Sequence, residues 1–311
     1  MRNVSIGHRT VADIDGQVSK VLRGLGQPEP PIDLRVVRDL LKLDRGYYST
    51  TDDGLLRETL SRLRVAGQQV LLRPTILRDA VRSFSLKALY LPDQKRILLD
   101  QDIPLIKHRW NEAHEIGHDV IPWHAGMMLG DTEQTLTPAC HEIIEAEANY
   151  AAGQLLFLAG RFQAEATATA PSLDVVRKLG KDFGNTVTST LWRFVEQAHG
   201  DRPMVALVTG HPHPAKRKPD FDPANPCRYC VESPLFRERF GQILEPELFR
   251  VVVGYSGAQR GGTLGEAEVI LNGRNGDRHV FAFETFFNRH EALTLGYWLR
   301  PHITGVLVQS L

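Results

Sequence analysis

The run Arg109-Trp-Asn-Glu-Ala-His114-Glu-Ile-Gly-His118-Asp-Val-Ile-Pro-Trp-His124 carries an H-E-x-x-H arrangement, His114 to His118, in a segment that reads as helix. Residues four apart share one helical face. Both imidazoles can therefore converge on one Zn²⁺, and Glu115, one step round the helix from His114, lies where it can take a proton from a water held there. That is the core of a hydrolase. The pattern fixes only three residues, so taken alone it describes an ordinary amphipathic helix with two histidines equally well.

A catalytic zinc needs a third protein ligand and one open position, which directs attention to the next helical run. Residues 138–160 place Ile143, Ile144, Ala148, Ala151, Ala152, Leu155 and Leu156 at helical spacing. Glu145 suits the third ligand, because Asn149 follows one turn later, where it can hydrogen-bond a ligand histidine from behind. Glu147 is the first alternative and Glu142 a second; without a metal, all three simply solvate the helix. His124 and His141 flank the site in sequence, and either can donate a hydrogen bond to the oxyanion that forms when water attacks a carbonyl. Each also serves as a structural or surface histidine.

Arg109 to His118, then Glu145-Ala-Glu-Ala-Asn149-Tyr-Ala-Ala and Leu155-Leu156, resemble the ImmA/IrrE family of bacterial zinc metallopeptidases, and the helical tail from Leu173 to Glu196 extends the likeness. It covers about residues 15–200. The family's usual Arg-Phe-Thr-Leu-Ala-His is here Arg109-Trp-Asn-Glu-Ala-His114, and its Leu-Leu-Met-Pro is Leu155-Leu156-Phe157-Leu158, differences that leave the ligand positions untouched. The resemblance implies a cytoplasmic, gluzincin-like peptidase with Zn²⁺ on His114, His118 and Glu145, Glu115 as catalytic base and Asn149 behind the ligands. Its substrate is expected to be a helix-turn-helix repressor, so that cleavage relieves repression. The rival expectation is a regulatory binding protein whose zinc site is structural or vestigial.

Composition permits this. At 311 residues the chain is long enough for two domains, and 37 Lys plus Arg balance 37 Asp plus Glu, leaving no global field toward nucleic acid or an anionic membrane. No apolar run of ~18 residues suggests a spanning helix, and the N-terminus lacks the apolar core of a signal peptide. Three cysteines in so long a chain argue for a reducing compartment.

The expected class is α+β: a mainly helical zincin-like metallopeptidase domain with a small β-hairpin over residues 1–210, a Pro-rich linker at 211–226, and a small α+β module, sensory or partner-binding, at 227–311. Upstream of the metal helix, Val11 to Leu25 and Leu34 to Leu43 read as helices, the second capped by Asp33. Residues 52–70 form a further candidate helix, and Phe84 to Asp100 reads as a hairpin whose edge an extended substrate can join. Residues 124–137 read as a loop. Ser172 to Gln197 resembles a helix-turn-helix, but its second helix offers one basic residue, Arg193, so it is expected to pack within the peptidase domain rather than read DNA. Cys227 and Cys230, with His211 and His213, are candidates for a second, structural zinc. Leu248 to Gly254 is expected to be a strand, and 268–283 a hairpin.

Overall fold

Helix α1 (His8–Gly24) turns a single apolar stripe of Ile14, Val18, Val21 and Leu22 inward. Helix α2 (Leu34–Leu41) starts where the Asp33 carboxylate accepts from the Arg35 N–H at 2.9 Å, and stops where Lys42 takes a left-handed φ of 57°. These elements belong to a computed structural model that describes residues 6–48, 88–91, 94–102, 105–128 and 138–302. The expected helix at 52–70 lies outside the described residues. The chain divides into two compact units, Met1–Gly160 and Arg161–Leu311.

In the first unit, β2 (Ala88–Leu91) and β3 (Arg96–Asp100) form the expected antiparallel hairpin, and β1 (Asp44–Tyr48) joins β3 as a parallel neighbour. Among the described residues the order β1-β3-β2 leaves β2 on an edge. Helix α3 (Leu105–Val120) carries the two histidines and packs on β2, β3 and α5 (Pro138–Leu156). It stops ahead of Pro122, which cannot donate an N–H to continue it. Pro122 then begins α4 (Pro122–Met128), a first-turn position where proline is tolerated, so helix replaces the loop expected from residue 124. Residues 129–137 lie outside the described ones.

Gly117 sets how closely α3 and α5 approach. A Cβ there would meet the Ala148 carbonyl oxygen at 2.8 Å and the Ala151 Cβ at 3.3 Å. The remaining faces of α3 are tied by charge. Glu112 accepts from Arg38 Nε (2.6 Å) and Arg45 Nη1 (3.0 Å), while Asp119 accepts from Lys95 Nζ (2.6 Å) and the Tyr90 hydroxyl. The helix is thus fixed from α2, β1, β2 and the β2–β3 turn.

The second unit holds α6 (Gly160–Thr167), α7 (Leu173–Asp182), α8 (Val187–Gln197), α9 (Pro234–Phe240) and α10 (Glu245–Tyr255) around an antiparallel sheet. Its strands are β4 (Met204–Thr209), β5 (Cys227–Glu232), β6 (Gly262–Asn272), β7 (Arg278–Phe287) and β8 (Ala292–Pro301), in the order β5-β4-β8-β7-β6. Phe236 and Phe240 from α9 and Leu248 and Val252 from α10 pack with Phe281, Phe283, Val205 and Leu207 of the sheet.

Three expectations are corrected here. The boundary at 211–226 fails, because that proline-rich stretch joins β4 to β5, which are hydrogen-bonded neighbours in one sheet. A proline-rich excursion between adjacent strands has the composition of a linker, but the main-chain bonds on either side make it a loop. The helix pair α7–α8 consequently falls in the second unit, with α8 packed on β4 and β5. Arg193, its one basic residue, is buried. Finally, residues 248–254 are helical rather than extended: Glu245-Pro246-Glu247 supply a first-turn proline and acidic groups that start α10. The α+β class holds for the whole chain. Among the described residues no helix is long and apolar enough to cross a membrane.

Candidate metal centre

Helices α3 and α5 bring three side chains to one point. His114 Nε2 lies 3.2 Å from His118 Nε2 and 3.1 Å from Glu145 Oε2, and His118 Nε2 lies 3.6 Å from Glu145 Oε1. Their ligand atoms all fall within 4.8 Å of one another, and among the described residues no other group of three or more His, Cys, Asp or Glu does so. A tetrahedral ion with bonds of ~2.0–2.2 Å has edges of about 3.3 to 3.6 Å, close to these separations.

The hydrogen-bond network fixes the orientation of the two imidazoles. His114 Nδ1 faces Asn149 Oδ1 at 3.1 Å, so its proton sits on Nδ1 and Nε2 keeps a lone pair. Behind His118 stands a two-step relay. The Glu147 carboxylate accepts from His124 Nε2 (2.9 Å) and from Trp123 Nε1 (2.7 Å), leaving His124 Nδ1 as acceptor for His118 Nδ1–H (3.0 Å). His118 Nε2 is therefore also a bare lone pair. With both rings neutral, two imidazole lone pairs and a carboxylate meet, and either a proton shared with Glu145 or a cation can answer them.

The electrostatics separate the two imidazoles. Burial draws the His118 pKa down to about 4, outweighing the Glu145 hydrogen bond that raises it, so this ring stays neutral. Burial also lowers His114, but the Glu145 hydrogen bond and the charges of Glu115 and Glu145 exceed it and the net shift is upward. At Glu145 burial acts to raise the pKa and is overcome by the two imidazoles, which hold the carboxylate well below its ordinary range. Its side chain is still 40% exposed, so the cluster faces solvent on one side.

Glu115 is 4% exposed. Burial pushes its pKa up to about 7, assisted by Glu145 and opposed by His114 and by the Tyr90 backbone N–H, which donates to it from β2. A carboxyl poised near neutrality is suited to proton transfer in either direction. The same N–H places strand β2 beside this carboxyl.

The candidates thus separate. His114, His118 and Glu145 converge, with Glu115 and Asn149 around them. Glu147, the first alternative to Glu145, turns to His124 and Trp123 instead. His124 corrects the expectation of an oxyanion donor: it is 0% exposed, with both ring nitrogens engaged behind His118. The side chain of His141 lies outside the described residues. Sequence reading passed over the partnership of Trp123, His124 and Glu147, whose only sign is a polar pair just past a helix-ending proline. The second zinc site does not assemble: His211 Nε2 bonds the Gln259 carbonyl at 2.8 Å. Burial, helped by Glu245, pushes the Cys227 thiol up to about 12 and raises Cys230 as well. Among the described residues these thiols do not meet His211 or His213 in a metal-ligating group.

No protein-family model matches the chain, and no curated protein matches it. Among solved structures the chain is similar to a Mycobacterium tuberculosis transcriptional regulator at 13% identity, covering 96% of this chain and 94% of that one, with a TM-score of 0.46. At that level the likeness carries no argument.

Proposed function

We propose that the first unit is a zinc-dependent endopeptidase of the ImmA/IrrE type, acting in the cytoplasm on a helix-turn-helix repressor. The observation that carries this reading is the convergence of His114, His118 and Glu145 with ligand atoms within 4.8 Å of one another, beside a buried Glu115. A zinc ion held there supplies Lewis acidity and brings the pKa of water to about 7.

The chain's own residues supply the rest. Glu115 Oε takes the proton of the attacking water and delivers it to the leaving amine, which its pKa near 7 permits. Asn149 and the Glu147–His124 relay hold the two imidazoles in the tautomer and orientation that keep both Nε2 lone pairs facing inward. The edge of β2, with its Tyr90 N–H at Glu115, offers an extended peptide main-chain hydrogen bonds alongside the carboxyl. The solvent-facing side of Glu145 supports an open coordination position over a closed structural site.

The test is Glu115→Gln. The variant should bind zinc with wild-type stoichiometry and lose cleavage of helix-turn-helix repressors from the same organism that the wild type cuts, followed by electrophoresis and mass spectrometry. Cleavage at the wild-type rate by the variant refutes the mechanism.

A further inference from the structure

The second unit contains a cleft of about 1000 Å³ whose walls include Lys216, Arg260, Arg289, Phe286 and Phe287. The three cations arrive from separate segments: the turn after β4, the loop between α10 and β6, and the β7–β8 turn. All three are exposed, none has a carboxylate partner among the described residues, and no acidic residue lines the cleft. Some other arginines of this unit are paired, among them Arg228 with Glu291 and Arg300 with Glu268.

The positions of these groups are fixed by the backbone. Arg289 holds a left-handed φ of 77°, costly for a residue with a Cβ. It is kept there because the Asn288 side chain accepts from the N–H groups of His290 (2.9 Å) and Glu291 (2.8 Å). The turn thereby brings the Arg289 stem over Gly261, whose missing Cβ would lie 3.6 Å from Arg289 Cγ. On the other side, buried His211 bonds the Gln259 carbonyl and stacks edge-on against Phe287 at 4.6 Å, anchoring the loop that carries Arg260.

A concave surface lined by one sign of charge over apolar walls concentrates counter-ions. Its size lies at the upper end of the range for small-molecule sites, ~300–1,000 Å³. A single carboxylate would leave two of the three cations unanswered, whereas a diphosphate carries enough charge to meet them all. We propose that this cleft binds a phosphorylated small molecule of nucleotide size, its phosphates against Lys216, Arg260 and Arg289 and its organic half against Phe287. This goes beyond the peptidase reading and involves none of its residues.

Isothermal titration calorimetry of the full chain at low ionic strength, with ADP, pyrophosphate and adenosine as separate probes, tests it. ADP should bind saturably at one site and more tightly than pyrophosphate, and adenosine should give no measurable binding. The double variant Arg260→Gln/Arg289→Gln should weaken ADP about tenfold or more at an unchanged melting temperature, since neither side chain makes an ion pair among the described residues that the fold would lose. Absence of saturable ADP binding, wild-type affinity in the double variant, or pyrophosphate binding as tightly as ADP each overturns the proposal.

Discussion

Glu145 and Glu147 stand two positions apart on one helix and do different work, because a two-residue step turns a side chain through most of half a circle. Glu145 looks toward the imidazoles of α3; Glu147 looks toward Trp123 and His124. Glu145→Ala should therefore abolish stoichiometric zinc uptake, measured by atomic absorption after dialysis. Glu147→Gln should keep the stoichiometry while weakening affinity, because its charge no longer supports the proton on His124. A loss of about 10–100-fold is expected, read by competition with a chromophoric chelator, and an unchanged affinity would remove the relay from the account. Much of this site was legible at the level of single residues. The i,i+4 histidines follow from helical geometry alone, as does the one-turn step from Glu145 to Asn149. The role of His124 was not legible, since its direction depends on where α4 starts and how that short helix lies against α5.

Between elements, the closeness of α3 and α5 rests on a missing side chain. Gly117→Ala would push a methyl to 2.8 Å from the Ala148 carbonyl oxygen, so the helices must separate or shear. The expected result is destabilisation of about 1–3 kcal/mol in a denaturant titration, together with weaker zinc binding because Glu145 moves with α5. At α2, Asp33→Ala removes the cap on the Arg35 N–H and should cost about 1 kcal/mol by the same titration. Cap and apolar stripe were readable here because both are local signals. Residues 248–254 show the opposite case: Leu248-Phe-Arg-Val-Val-Val253 is rich in β-branched residues, yet the start signal at Glu245-Pro246 and packing against the sheet make it helix.

For the molecule as a whole, two units with separate cores imply separable energetics. Zinc at a hundredfold its Kd should stabilise the folded first unit by about 2.7 kcal/mol, and removal by a chelator should reverse this in calorimetry. Phe240 is fully buried and packs edge-on against Phe281 at 4.9 Å. Phe240→Ala should cost the second unit about 3–5 kcal/mol without changing zinc stoichiometry. The sequence by itself determined the α+β class, the helical face of His114 and His118, and the short list of carboxylates able to join them, because each follows from spacing along a few turns of chain. Only the tertiary structure decided that Glu145 and not Glu147 meets the histidines. It alone decided that residues 211–226 connect two paired strands, and that Lys216, Arg260 and Arg289 share one cleft. Those outcomes depend on helix rotation and on strand pairing between residues distant in sequence, which no local pattern encodes.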